Sequence, residues 1–304
     1  MAGDRDSAMD TRDALVVDAF APGPMTGTPV GVVLDGAGLT ADQQARIAGE
    51  FGAPVSAFVG KTDDERRLRL GGAAEHERPL YVAVATAAAL RDRDWLEAAE
   101  ATFDLGADTL AVSAGEDGRT WVEVAEPDLR EADATEAEAA EALGVDVAAI
   151  RDVAADLPLV RASIGRGVLV VPVNFLEHLS GADPDPAAVA DVLEATATEC
   201  LHAFTFDTLS GDRDAHGLTL DGDGRRLRAT GEAEACAAAA IRRYGAMDHE
   251  RDVLRFEAGD LLDRPARVDV RTEDGYAVGG HAVTVLDGTV VVPPADEGDD
   301  IIEV

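Results

Sequence analysis

Fifteen residues constrain the fold more than any others: Thr230 to Tyr244, which read TGEAEACAAAAIRRY. From Ala235 to Ile241 there is no large polar side chain, and Cys236 is followed by four alanines. Alanine is the strongest helix former, and a helix without a polar face has no side to turn to water. The stretch is therefore expected to be a helix buried all round, with side chains small enough for other backbone to come close. Its ends agree with this. Glu232 and Glu234 stand in the first turn, Arg242 and Arg243 in the last, and Gly245 follows as a stop, the arrangement that the helix dipole and a C-terminal cap favour. A polar helix start facing a cleft is also a natural seat for an anion. This makes Thr230, Gly231, Glu232 and Glu234 candidates to line such a cleft, against the plainer reading of a core helix with ordinary helix-start carboxylates.

A second stretch has the same character. Tyr81 to Arg91 (YVAVATAAALR) is again rich in alanine and mostly apolar. Around each helix the order of elements repeats. Strands come first (ALVVDAF and VGVVL before the first helix, VLVVPV and Ala203 to Asp207 before the second), then the helix. A hairpin follows, turning on Glu-Asp-Gly, at Glu116 to Gly118 and again at Glu273 to Gly275. The helices and the turns are each offset by about 155 residues, the kind of self-similarity that marks duplication. The expected fold is α+β, with two similar halves that each wrap strands around one Ala-rich helix. Between further elements, Thr40 to Phe51 reads as a helix capped by Thr40 and stopped by Gly52, and Glu131 to Leu143 as an acidic, exposed connector helix. The expected boundaries are a loose tail over 1–13, a first half over 14–155 that includes the connector, a second half over 156–296, and an acidic tail over 297–304.

Composition narrows the functional classes. The chain holds 60 Asp and Glu against 26 Lys and Arg, a formal net charge of −34, and Lys61 is its one lysine. Apolar runs persist throughout, so this is not the composition of a disordered chain. It matches a surface built for concentrated salt, and at low salt its self-repulsion opposes compaction. The same field repels phosphate backbones and argues against nucleic-acid binding. Cys200 and Cys236 form neither a disulfide framework nor a zinc spacing, which suits a reducing cytoplasm. No apolar run approaches the roughly 20 residues that span a bilayer. The six histidines show no paired metal spacing, and no phosphate loop, dinucleotide fingerprint or Gly-x-Ser-x-Gly is present. No metal and no cofactor is expected.

Several segments, in order, resemble the phenazine-biosynthesis PhzF-like isomerases, relatives of diaminopimelate epimerase. Val17 to Phe20 with Gly27-Thr28-Pro29-Val30 is similar to the family's opening strand and Gly-Asn-Pro-Val, with Thr28 for the Asn. Val55-Ser56-Ala57-Phe58-Val59 falls on its Glu-Thr-Ala-Phe-Val. Glu257-Ala258-Gly259 and Arg264-Pro265 fall on Glu-Gln-Gly and Gly-Arg-Pro, and Val278 to Val283 on the last strand. The resemblance runs from about Ala14 to Pro293. It implies a duplicated epimerase-like fold, an active site between the halves, proton-shift chemistry on a small carboxylate metabolite, and a homodimer.

At the positions where the resemblance places proton-handling groups, this chain has none. Val55 stands for the family's Glu, and Ala83 or Val84, one register apart, for its His. Gly231, or Leu227 in the alternative register through Ala229-Thr230-Gly231, stands for its Asp. A proton shift needs a base to take a carbon-bound proton and an acid to return it, and these side chains carry none. Gly231-Glu232-Ala233-Glu234-Ala235-Cys236 resembles the cysteine setting of diaminopimelate epimerases, which makes Cys236 a candidate nucleophile or base. That chemistry needs an opposed thiol, the position near Ala83 has none, and a Cys in an Ala run is more often a space-filler. Glu77, near the family's Glu-x-Pro position, is a further cleft-lining candidate. Three readings stay open at this point: an isomerase with altered groups, a member without catalysis that binds a metabolite or partner, and a structural dimer.

Overall fold

The computed structural model describes residues 9–62, 67–71, 80–106, 108–153, 156–247 and 251–295. The chain opens with β1 (Thr11–Ala19), β2 (Thr28–Val33), a helix (Ala41–Phe51), β3 (Val55–Lys61) and β4 (Arg67–Gly71). The first Ala-rich helix (Leu80–Asp92) comes next, then β5 (Glu100–Asp104), β6 (Thr109–Ala114), β7 (Thr120–Val124) and β8 (Asp128–Glu131). Two short helices (Glu136–Leu143, Ala148–Arg151) precede β9 (Val160–Ser163) and β10 (Gly167–Pro172). Helices Leu176–Ser180 and Pro186–Thr196 lead to β11 (Cys200–Thr205), β12 (Ala215–Asp221) and β13 (Arg226–Leu227). The second Ala-rich helix (Glu232–Tyr244) is followed by β14 (Val253–Ala258), β15 (Ala266–Arg271), β16 (Tyr276–Gly280) and β17 (Ala282–Val291).

Strand pairing lays these out as one ribbon: β17, β1, β2, β3, β4, β5, β6, β7, then β16, β15, β14, β12, β11, β10, β9, β8. The short β13 lies against β12. The β7–β16 ladder joins one group of eight strands to the other. The first Ala-rich helix packs on β1, β2, β3, β6, β7 and β17, and the second on β9, β10, β11, β15 and β16. Strand partners thus cross the expected 155/156 boundary both ways, because β8 sides with β9 and β17 returns to β1. The expected tail over 1–13 also differs: β1 begins at Thr11, and Thr11 to Asp13 pair with β17.

Both Ala-rich helices are buried, as their composition demands. Leu80 to Ala87, Ala89 and Leu90 are buried in the first, and Ala233 to Ile241 in the second. Alanine loses no side-chain entropy in a helix, and its small Cβ lets strands close on every side. The large core residues therefore come from the strands: Leu15, Phe103, Phe204 and Phe256 are fully enclosed. The Ala41–Phe51 helix has the expected capping box, with Gln43 N donating to Thr40 Oγ1 (3.2 Å) and Thr40 N to Gln43 Oε1 (2.9 Å), and ends on Gly52 at φ 62°.

The connector expectation needs correction. Residues Asp128 to Glu131 form β8, and the helix spans Glu136–Leu143 only. Its Ala139, Ala140, Ala142 and Leu143 are buried in a second core with Leu169, Val171, Leu201 and Leu220, against the Pro186–Thr196 helix. The Glu-rich face that suggests exposure is real, but the alanines and leucine at helical spacing form the opposite, buried face.

Candidate active site at two opposed helix starts

The two Ala-rich helices begin against each other. Glu232, first residue of the second, accepts a hydrogen bond through Oε1 from the backbone N–H of Leu80, first residue of the other (2.8 Å). Gly231 just before Glu232 adopts φ 89°, and a Cβ there would lie 3.0 Å from Val278, 3.2 Å from Phe20 and 3.3 Å from Leu80. Glycine is thus required twice, for the left-handed backbone and for the close approach. The free N–H groups of this helix start are met locally: Gly231 N donates to Glu234 Oε2 (2.8 Å) and Ala233 N to Thr230 Oγ1 (3.3 Å).

The Pro/Gly loop after β1 is fastened to the same region. Thr28 Oγ1 donates to the carbonyl of Ala229 (2.8 Å). Arg264 reaches Asp18 (2.6 Å) and the carbonyls of Thr26 (2.9 Å) and Gly27 (3.1 Å), Gly27 N donates to Pro265 O, and Arg267 N donates to Phe20 O. Phe20 itself sits at φ 56° and is fully buried. A bulky residue held in that region marks a place where the surroundings over-determine the backbone, and here it is the residue whose ring closes on Gly231.

Electrostatics single out the two carboxyls. Burial pushes Glu232 up to about 8, against the Leu80 N–H, which pulls it down. Glu232 nevertheless keeps partial access to solvent. Glu234 is fully buried, its Oε1 has no partner, and burial raises it too. Cys236 lies one turn deeper with no exposure. Burial, then the nearby Cys200, pushes its thiol up, while the Cys200 thiol stands at about 12, again from burial. A thiol held protonated is a poor nucleophile, so Cys236 has the setting of a space-filler.

The positions at which the resemblance implies proton-handling groups are apolar and enclosed. Val55 opens β3 opposite Val30 and is 5% exposed, and Ala83 and Val84 are at 1% and 0% inside the first helix. Leu227, the alternative to Gly231, is partly exposed in β13. Glu77 lies outside the described residues. Sequence reading missed the Glu232–Leu80 bond, for which the only signal was a Glu at the first position of an otherwise apolar helix. It also missed a second buried polar cluster. There Glu257 accepts from His216 Nδ1 (3.2 Å) and from Leu209 N, with Arg267 at 3.8 Å. A surface hollow elsewhere is lined by Glu123, Asp252, Glu273 and Asp274 with Arg271. Its carboxylates would repel an anionic metabolite.

A duplicated α+β fold with two opposed buried helix starts defines the epimerase-like class, and the comparisons agree. Residues 17–288 match the phenazine biosynthesis-like (PhzC-PhzF) family, so the chain belongs to it. A relative from Bacillus subtilis (strain 168), the uncharacterized isomerase YfhB, is 28% identical over 93% of this chain and 97% of its own length. The crystal structure of a PhzF-family phenazine biosynthesis protein from Bacillus anthracis superposes with a TM-score of 0.81 at 25% identity, covering 93% of this chain and all of that one. A predicted epimerase from Pseudomonas aeruginosa gives 0.74 at 22% identity over 93% of this chain and all of that one, which speaks for the fold alone.

Proposed function

We propose that this chain keeps the scaffold of a PhzF-like isomerase for a small carboxylate metabolite but does not run the family's proton shift through the family's residues, so that its activity is lost or altered. One observation carries this reading. Val55, Ala83, Val84 and Gly231, which stand where the resemblance places the Glu, His and Asp, are apolar and enclosed in the core. General acid–base catalysis by a positioned group contributes about 10² to 10⁴-fold, and an aliphatic side chain supplies none of it. The test is deuterium incorporation from heavy water into a panel of small amino and unsaturated carboxylates, followed by NMR. The expected result is no incorporation above the buffer rate. Exchange by the unaltered protein would overturn the loss of the proton shift.

A second reading, an altered proton transfer, rests on one side chain. Glu232 is partly accessible, sits between the helix starts and holds its proton up to about pH 8, the range in which a carboxyl acts as a general acid at neutral pH. If exchange is found, Glu232→Gln separates the possibilities. Loss of exchange assigns the proton to Glu232, and loss on Cys236→Ala assigns it to the thiol.

A further inference from the structure

The junction between the two Ala-rich helix starts is filled by the chain itself. Each helix is 13 residues long, and a helix carries about half a positive elementary charge at its N-terminus. The two positive ends converge where Glu232 Oε1 accepts from the Leu80 N–H at 2.8 Å. The walls beside that point are apolar, because Val278, Phe20 and Leu80 close on Gly231. The start of the Glu232–Tyr244 helix has other caps: Glu234 Oε2 takes Gly231 N (2.8 Å) and Thr230 Oγ1 takes Ala233 N (3.3 Å). Glu232 reaches across to the other helix, and of the two glutamates it is the one that stays partly open to solvent. Glu234 adds an independent sign. It is fully buried, and its Oε1 has no partner among the described residues. A buried acceptor without a partner points to a donor that the chain does not supply.

We infer that this junction is a seat for a small carboxylate and that Glu232 closes it from within. The side chain brings the group that an outside ligand would bring. It does so without the loss of translational and rotational freedom that an outside ligand undergoes on binding. An external carboxylate therefore enters only by displacing Glu232, and in the unaltered protein the seat is shut. The inference deepens the function proposed above and rests on its reading of a scaffold for a small carboxylate. Binding decides it, whereas deuterium exchange decides the loss of the proton shift, so either can fail alone.

Glu232→Ala empties the seat. Glu232→Gln leaves it filled, since the amide oxygen still accepts from the Leu80 N–H. Thermal melts at neutral pH compare them in about 2 M potassium chloride, with up to about 100 mM of the chloride replaced by acetate so that screening stays constant. The melting temperature of Glu232→Ala should rise saturably with acetate by about 2 °C, as for a ligand at about ten times its dissociation constant. Wild type and Glu232→Gln should not respond. Trimethylacetate, too bulky for the space that one side chain leaves, should act on Glu232→Ala as chloride does. If Glu232→Ala is unfolded in chloride, recovery of the folded state in acetate and not in trimethylacetate is the expected result. Equal behaviour of Glu232→Ala in acetate and chloride, folded or unfolded, would overturn the inference. So would an equal response to trimethylacetate, or an acetate shift as large in wild type or Glu232→Gln.

Discussion

The side chain of Glu232 joins the starts of the two buried helices through a 2.8 Å bond from the Leu80 N–H. This gives the first helix a protein carboxyl where an orphan N–H would otherwise face the space between the helices.

A pH dependence follows from it. The Glu232 carboxyl lies near its ordinary value of 4.5 in the unfolded chain and at about 8 in the folded one. Between these values the folded state holds a proton that the unfolded state has released. Stability therefore falls as pH rises through that window and is flat, from this group, above about 8. Glu234 acts in the same direction. Glu232→Gln keeps an oxygen for the Leu80 N–H and removes the titration. It is expected to be more stable than wild type by about 1–3 kcal/mol at pH 9, the range left after allowing for partial solvent access. The gain should shrink as pH falls towards 4.5. Denaturant melts at pH 5, 7 and 9 measure it, and a pH-independent difference would refute the assignment.

Gly231 bears on how an acid could be introduced at the second helix start. Any Cβ there meets Val278, Phe20 and Leu80 at a backbone angle that L-residues avoid, so Gly231→Ala should cost about 1–3 kcal/mol and Gly231→Asp more. Leu227→Asp, in a partly exposed strand, should cost less than about 1 kcal/mol. A revertant with Val55→Glu and Ala83→His should therefore fold better with the aspartate at 227 than at 231. Thermal melts of the two triple variants check the order, and the reverse order would refute it.

The two thiols should be silent in the native state. Both are buried and held protonated, so alkylation by iodoacetamide at pH 8 should proceed only as fast as the protein opens and should reach both sites on unfolding. Cys236→Ala should leave any deuterium exchange untouched and cost about 1 kcal/mol for the lost sulfur contacts. Native labelling of Cys236 faster than unfolding would return it to the list of catalysts.

Much of the fold was legible because it rests on local pattern. The Ala-rich runs announce buried helices, Thr40 and Gly52 announce helix ends, and the Glu-Asp-Gly turns announce hairpins. The candidate site was legible in place but not in wiring. Thr230 to Glu234 could be picked as a helix start, whereas its partner Leu80 lies 152 residues away in the chain and no local spacing encodes that bond. The same holds for Glu257 with His216 and for Thr28 with Ala229, pairs that only the returning strands bring together. The exchange of β8 and β17 between halves was hidden for a related reason. Strand partners are chosen by the sheet, while a boundary drawn along the sequence assumes that neighbours in the chain stay neighbours in space.

The acidic surface carries the last prediction. With 60 carboxylates against 26 Lys and Arg, most negative charges have no cation to meet. Many of the ion pairs that do form are exposed, such as Arg225 with Asp223 and Arg166 with Glu199, and exposed pairs contribute little. Repulsion should therefore dominate the surface at low ionic strength, and screening should relieve it, nearly completely by about 1 M where the Debye length is about 3 Å. The melting temperature is expected to rise by about 5 °C or more between 0.1 and 2 M potassium chloride, which at about 1.5–2 °C per kcal/mol for a chain of 304 residues corresponds to about 3 kcal/mol of relieved repulsion. Screening and strengthened apolar burial are separable, because sulfate enhances burial and chloride largely does not. Equal rises in chloride and sulfate at matched ionic strength would assign the effect to charge. A much larger rise in sulfate would assign it to burial, and a flat or falling melting temperature in chloride would refute the expectation that this surface is built for salt.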